Sequence, residues 1–274
     1  KLLVMILASD IPLTLWLALP TAAAYTLTAL MGPRVAPEMG HRLLSVPWAL
    51  HGLGLIFALF APQDGGLRFG FAPALSVTAW LMLTFYVLEH HWFPQLRTRW
   101  TLAMVGAAVV VLAAAFPGTP LHTQTSPILP LHLALGVASY GLFAAAVVHA
   151  WLMSRAEKNI RMGTDTHVGL PLLTLERLTF RFVTAGFVLL TATLLAGWVF
   201  GDLLYGAQAA WRWDHKTVFS LLSWLTFAVL LVGRSRFGWR GRKAVRVLYI
   251  GTGLLLLGYA GSRFVLEVVL GRAA

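Results

Sequence analysis

The stretch LPLHLALGVASYGLFAAAVVHA, residues 129–150, contains no aspartate, glutamate, lysine or arginine. A transmembrane helix needs about 20 consecutive, predominantly apolar residues, and this stretch is long enough by itself. The whole chain has the same character, because its mean hydropathy is +0.76 and only 11% of its 274 residues are charged. Soluble domains carry about 25% charged residues. We therefore predict a polytopic membrane protein.

Further apolar runs on both sides of this stretch bring the number of predicted transmembrane helices to about eight. The predicted spans are 10–31, 43–61, 72–91, 101–116, 128–153, 182–200, 216–233 and 245–268. Little sequence remains for a separate soluble domain, so we predict an all-α membrane helix bundle that forms a single domain over residues 1–274. Before span six, the stretch LPLLTLERLTFR (170–181) predicts an interfacial amphipathic helix.

The basic residues predict the orientation of the bundle. Fifteen of the 21 lysines and arginines fall in the loops after spans one, three, five and seven. The positive-inside rule places these loops in the cytoplasm and both termini in the periplasm, as expected for a multi-pass protein of the bacterial inner membrane. No nucleic-acid-binding module accompanies the net charge of +11, so no nucleic-acid partner is indicated. The segment RSRFGWRGRKAVR (234–246) would attract anionic membrane lipids.

Two histidines lie inside predicted spans, where an ionisable side chain is costly and suggests a functional site. His51 lies in span two and His132 lies near the outer end of span five. The two spans run in opposite directions, so both imidazoles are expected in the outer half of the bundle. The alternative is a neutral imidazole hydrogen-bonded to a neighbouring helix. Gly136 and Ser139 share the face of His132, and such small residues either make room for a ligand or allow close helix packing.

The segment WRWDHK, residues 211–216, occupies the predicted outer loop before span seven. Trp211 and Trp213 offer aromatic surface, and Arg212 and Lys216 offer positive charge for carboxylates. An interfacial aromatic belt is the alternative interpretation. Because the chain has no cysteine, imidazole ligands suit haem iron, zinc or copper. Of these, only a haem would also use the aromatic surface and the cations.

These residues resemble the cytochrome c assembly (CcsA-type) family of haem-handling membrane proteins. The resemblance rests on the Trp-x-Trp-Asp core at 211–214 and extends to GWRGRKAV, LGYAGSRFVLEVVL, LPLHLALGVASYGLFAAAVVHA and LPLLTLERLTFR. It covers most of residues 43–270. The closer similarity is to the small eight-span branch of YpjD-like or HemX-like proteins.

The resemblance implies a b-type haem bound on the periplasmic side. It implies that His51 and His132 are the axial ligands of the iron, and that Trp211, Trp213, Asp214 and Lys216 contact the macrocycle. The implied function is cytochrome c biogenesis or haem handling, with other cytochrome c maturation proteins or a haem recipient as partners. The external histidines that flank the tryptophan segment in the full haem-attachment proteins are not evident here. We therefore expect a non-enzymatic assembly factor.

Two other functions are compatible with the sequence. One is a cofactor-free regulatory or scaffold membrane protein that docks through its basic segments. The other is a small-solute or ion transporter, which His51 and the Arg263/Glu267 pair would suggest. The sequence contains no glycine-rich phosphate loop, metalloprotease helix or nucleophile elbow, so it does not indicate an enzyme with covalent chemistry of its own.

Overall fold

A computed structural model describes residues 13–35, 37–60, 68–92, 100–120, 128–163, 171–201 and 214–270. This part of the chain consists almost entirely of eight long helices, which confirms the all-α prediction. The helices are α1 (Leu13–Met31), α2 (Pro37–Phe60), α3 (Phe71–Trp92), α4 (Trp100–Ala115), α5 (Ile128–Arg161), α6 (Leu172–Val199), α7 (His215–Phe237) and α8 (Gly241–Val269). Two short strands, β1 (Arg68–Phe69) and β2 (Thr119–Pro120), pair antiparallel.

Five of these helices, namely α3, α5, α6, α7 and α8, are long and apolar enough to cross a membrane. The apolar parts of α1, α2 and α4 are shorter, at Leu15–Met31, Leu43–Leu59 and Trp100–Ala115. At 1.5 Å per residue, the 16 residues of α4 reach about 24 Å, which is less than the roughly 30 Å hydrocarbon core. An apolar helix therefore occupies each of the eight predicted positions, and the membrane orientation stays a prediction.

The boundary predicted before span six was wrong. We expected an interfacial helix at 170–181 followed by a span at 182–200, but α6 runs without a break over Leu172–Val199. The charged residue Glu176 of this stretch is buried, and its side chain is paired with Arg234 on α7. An acidic residue whose charge is paired within the bundle does not have to end the helix.

The described helices form two compact packing units. The first contains α1, α2, α4, the strands and the start of α3 through Ser76, and the second contains the rest of α3 with α5 to α8. In the first unit, α1 packs against α2 and α4. Tyr25 of α1 is fully buried there. A Cβ atom on Gly106 of α4 would lie 2.9 Å from the Tyr25 ring, so this glycine sets the approach of the two helices.

We expect Gly106→Ala to destabilise the protein by about 1–3 kcal/mol, because the added methyl group overpacks the Tyr25 ring. Gly54→Ala in α2 is the matched control, since a Cβ atom at that position meets no atom within 4 Å. Removing a glycine from an open helical position should stabilise the protein by roughly 0.5–1 kcal/mol. Thermal unfolding in detergent measures both. Equal shifts of the two variants would contradict the packing described for α1 and α4.

In the second unit, two aromatic rings form the centre of the packing. Phe143 of α5 and Phe227 of α7 stack with centroids 3.8 Å apart and planes 5° from parallel. Gly186 of α6 lies against the outer face of Phe143, and Gly251 of α8 lies against Phe227. Four helices therefore meet through one aromatic pair with a glycine on either side. This packing brings the start of α5 and α7 to the same end of the unit as the last turns of α6 and α8.

Candidate functional site

His132 lies near the start of α5, against the last turn of α6. A Cβ atom on Gly197 would lie 3.4 Å from Cε1 of the imidazole. On the same face of α5, Gly136 faces Thr193 of α6, and the Ser139 hydroxyl donates to the Gly136 carbonyl at 2.7 Å. The small residues therefore serve close packing of α5 on α6, which was one of the two interpretations of this face. The half-buried imidazole sits at the end of that packed face.

The first turn of α7 places a lysine beside this imidazole. Lys216 is close enough to His132 for its charge to act on the ring. Its ammonium nitrogen lies 5.5 Å from the centroid of the Tyr259 ring on α8. The guanidinium carbon of Arg263 lies 5.9 Å from the same centroid. Both cations thus lie within cation–π distance of one aromatic ring.

A local change in helix geometry places the Tyr259 ring at this position. Residues Leu257–Gly261 of α8 form a π-helical segment, and Tyr259 is its central residue. At the start of this segment, the Tyr140 hydroxyl of α5 donates to the Leu255 carbonyl at 2.5 Å. A side chain that hydrogen-bonds to a backbone carbonyl within a helix is a recognised cause of local changes in helix geometry. Turns of π-helix are frequent at functional sites.

We refer to His132, Lys216, Tyr259 and Arg263 as the polar cluster. It combines an imidazole nitrogen, which can ligate a metal when the ring is neutral, with two cationic side chains and an aromatic ring. Imidazole can ligate a metal, while the cations can bind carboxylates. Glu267 lies one turn after Arg263, with a carboxylate oxygen 4.0 Å from the guanidinium. The Arg263/Glu267 pair that suggested a transporter is therefore an ion pair within one helix.

The aspartate of the WRWDHK segment caps α7. Its side chain accepts a hydrogen bond from the Thr217 backbone N–H at 2.8 Å. Such N-caps are worth about 1 kcal/mol, so Asp214 has a structural role in placing Lys216 in the first turn of α7. Contact of Asp214 with a macrocycle stays a prediction. Trp211 and Trp213 lie outside the described residues.

His51 lies in the first packing unit, fully buried in α2. Its Nδ1 is 3.2 Å from the Tyr25 hydroxyl of α1. Its Nε2 is 2.9 Å from the Ser76 hydroxyl of α3. Both ring nitrogens therefore have hydrogen-bond partners, as the alternative interpretation of an intramembrane histidine expected. An ionisable side chain inside a span suggested a transporter path at His51, and these two hydrogen-bond partners explain its presence there structurally.

A second buried histidine, His149, makes a contact that was not predicted from the sequence. Nε2 of His149 on α5 lies 2.7 Å from a carboxylate oxygen of Glu89 on α3, and both side chains are almost completely buried. The His149 Nδ1 lies 2.8 Å from the Ala145 carbonyl. A carbonyl only accepts, so Nδ1 is the donor in this contact. An acidic residue within an apolar run was the available signal.

Comparisons with known proteins agree with this architecture. The model of the family described as cytochrome C assembly protein matches residues 43–270. The chain is 30% identical over 151 residues to the inner membrane protein YpjD of Escherichia coli (strain K12), covering 54% of this chain and 56% of that protein. It is 32% identical over 215 residues to an uncharacterized 28.8 kDa protein of Azospirillum brasilense, covering 74% and 77%.

A third relative is named for cytochrome c biogenesis. The cytochrome c biogenesis protein CcsA of Synechococcus sp. (strain CC9605) is 28% identical over 171 residues, which cover 61% of this chain and 53% of that protein. The chain thus spans little more than half the length of its Escherichia coli and Synechococcus relatives. The family match itself extends over most of the sequence, including α5 to α8 and the polar cluster. The chain therefore belongs to the cytochrome c assembly protein family, in its YpjD-like branch.

Proposed function

We propose that this protein binds a b-type haem at the polar cluster and takes part in cytochrome c biogenesis or haem handling. The observation that carries the proposal is that the half-buried imidazole of His132, next to Gly197, lies at the same end of the second unit as two cations. These cations are Lys216 and Arg263, which lie 5.5 Å and 5.9 Å from the centroid of one tyrosine ring, that of Tyr259. When bound, haem supplies an iron that accepts an axial nitrogen ligand. Haem also carries two propionate carboxylates, which cationic side chains can bind. The cluster contains both kinds of partner.

The residues of the cluster fit such a group in their chemistry and position. His132 is half-buried rather than enclosed, and the neighbouring Gly197 has no side chain to cover the imidazole edge. Lys216 and Arg263 would hold carboxylates through charge-assisted hydrogen bonds. Tyr259 adds an aromatic ring close to both cations. The adjoining Trp211 and Trp213 are proposed to extend this aromatic surface along the macrocycle.

Of the two histidines predicted as axial ligands, His132 has the surroundings that support the proposal. His51 would have to give up its contact with Tyr25 or Ser76 before a ring nitrogen could bind iron. We therefore assign the iron ligand of this site to His132. For His51 we propose a structural role, in which it joins α1, α2 and α3 through hydrogen bonds in the first unit.

The names of the relatives suggest where this site works. YpjD is named an inner membrane protein and CcsA a cytochrome c biogenesis protein. We extend both properties to this chain, as a multi-pass protein of the bacterial inner membrane with the polar cluster on the periplasmic side. Other cytochrome c maturation proteins or a haem recipient would be its partners. The cluster provides for binding and positioning of haem, so the proposed role is that of an assembly factor.

Titration of the detergent-solubilised chain with haemin tests the proposal. Wild-type protein should develop a Soret band typical of histidine-ligated haem and saturate. His215→Ala is a matched control, because this exposed histidine lies one residue before Lys216 in the sequence but has no part in the proposed ligation. It should titrate like the wild type. Failure of the wild-type chain to shift the spectrum of added haemin would overturn the proposal.

Removing one positive charge from the cluster should weaken haem binding without abolishing it. We expect Lys216→Gln to lower haemin affinity roughly tenfold, because a charge-assisted hydrogen bond to a carboxylate is worth about 1.5–3 kcal/mol. Lys243→Gln is the matched control, since Lys243 packs over Trp239 in the turn between α7 and α8. Spectroscopic titration measures both affinities. If both variants lost the same haemin affinity, positive charge would attract haemin without regard to its position on the protein, which would contradict a role for Lys216 in the site.

A further inference from the structure

The turn between α7 and α8 has a fixed geometry that gathers basic residues. Gly238 ends α7 in the left-handed conformation, with φ 62°. The backbone N–H of Trp239 then donates to the Gly233 carbonyl at 3.0 Å. The indole lies so close to Gly233 that any side chain there would collide with it. The chain therefore turns sharply, and Arg240 follows at once with its side chain 67% exposed.

A cavity of about 500 Å³ opens beside this turn. Its walls include Phe180 and Thr184 of α6, Leu231, Arg234 and Ser235 of α7, and Arg240. We name it the basic pocket. It belongs entirely to the second packing unit. Its size falls within the range of small-molecule sites, and its walls combine apolar surface with two guanidinium groups and two hydroxyl groups.

The two guanidinium groups in this pocket are held in place by one carboxylate. Arg234 contacts a carboxylate oxygen of Glu176, and Nε of Arg240 lies 3.3 Å from the same oxygen. The Arg234 guanidinium also stacks on the Phe180 ring, 3.8 Å from its centroid. Each guanidinium has five N–H donors, so these contacts orient the groups and use only part of their capacity.

The charge at the pocket favours an anion. Arg234 and Arg240 share the carboxylate of Glu176. Further cations at the end of α7 and the start of α8, namely Arg236, Arg242 and Lys243, are exposed. Arginine matches phosphate geometry better than lysine does, because its planar fork can donate two parallel bonds. Basic pockets between transmembrane helices are known to bind lipid headgroups.

The apolar surface beside the pocket indicates which kind of phosphate fits. One turn before Ser235, Val232 is exposed, and an exposed apolar stripe on α7 continues from it through Val229, Leu225 and Leu222. This stripe follows i, i+3 and i+4 spacing, so it lies on one face of the helix. A ligand with a phosphate head and apolar chains would contact both the arginines and this face, whereas a free phosphate would use the arginines alone.

We propose that the basic pocket binds the headgroup of an anionic phospholipid. The phosphate is held by Arg234 and Arg240, and the acyl chains lie along the exposed face of α7. The bound lipid holds the start of α6 and the end of α7, where the basic residues lie, at the membrane surface. The proposal is independent of haem, because the residues of the polar cluster take no part in it.

Lipid-dependent thermal stability of the purified full-length chain tests this proposal. Phosphatidylglycerol in mixed micelles should raise the unfolding temperature of the wild type, and phosphatidylcholine should not. Arg240→Gln should lower the apparent phosphatidylglycerol affinity about tenfold. Arg242→Gln is the matched control, because it removes the same charge from the same turn but does not line the pocket. Its affinity should stay within about twofold of the wild type.

Two outcomes would overturn the proposal. Equal losses in Arg240→Gln and Arg242→Gln would mean that lipid is attracted by diffuse charge rather than by the pocket. If inorganic phosphate at the same concentration stabilised the protein as much as phosphatidylglycerol does, the site would bind a soluble anion rather than a lipid headgroup. Because Arg240 is mostly exposed, its replacement should leave the unfolding temperature without lipid close to that of the wild type. If the unfolding temperature of Arg240→Gln without lipid differs from that of the wild type, native mass spectrometry of bound lipid gives a second measure of lipid binding.

Discussion

Replacing His132 with alanine is expected to lower the haem affinity of this protein more than about 100-fold. Replacing residues that only support a metal ligand typically costs 10–100-fold, so loss of the ligand itself should cost more. The substitution also leaves a space beside Gly197 that the imidazole edge occupies in the wild type. Added imidazole should enter this space and restore part of the Soret band. Spectroscopic titration with and without imidazole measures both effects.

The imidazole rescue separates ligation from a general loss of structure. A misfolded variant would not recover its spectrum when imidazole is added, whereas a folded variant that lacks only the ligand would. His215→Ala provides the control, as an exposed histidine close to the cluster in sequence. If His132→Ala bound haemin as tightly as the wild type, the assignment of the iron ligand would be wrong.

The largest stability effect is expected at the buried pair of Glu89 and His149. Glu89→Ala should destabilise the protein by about 3–5 kcal/mol, because it leaves the His149 nitrogen buried without its carboxylate. His149→Ala should cost a similar amount, since it removes the partner of a carboxyl group that is 4% exposed. The free energy of unfolding, measured by titration with a denaturing detergent, gives both values.

A double-mutant cycle distinguishes this pair from two independent packing sites. The double variant Glu89→Ala/His149→Ala should lose less than the sum of the single variants, with a coupling energy of roughly 1–3 kcal/mol. An exposed histidine is again the control, and His215→Ala should change the free energy of unfolding by less than about 0.5 kcal/mol. Strict additivity of the two single substitutions would contradict the contact between α3 and α5.

The positions of the helices could be predicted because they depend on the length and composition of apolar runs. All eight predicted spans coincide with apolar helices in the structure. The errors occur where a partner distant in sequence decides the outcome. The stretch that contains Glu176 predicted a separate interfacial helix, but Arg234, which is 58 residues away, pairs with Glu176 and the helix is continuous. No local pattern reveals such a pairing.

The polar cluster could be predicted only in part for the same reason. His132 and Lys216 were recognisable as an intramembrane histidine and a cation in an aromatic segment. Tyr259 was not, because its position depends on a π-helical segment that follows no simple periodicity. The capping role of Asp214 was within reach, since an aspartate directly before an apolar helix is a common N-cap signal. For His51, the sequence left two interpretations open, and the choice depends on Tyr25 and Ser76.

The proposal that this protein binds haem through His132 is tested most directly by the haem content of the chain purified from membranes of haem-replete cells. A pyridine haemochrome assay identifies the haem type and gives its ratio to protein. We expect b-type haem in close to stoichiometric amounts in the wild type and in His215→Ala, with almost none in His132→Ala. Equal haem in the wild type and His132→Ala, or none in the wild type even after haemin is added, would contradict it.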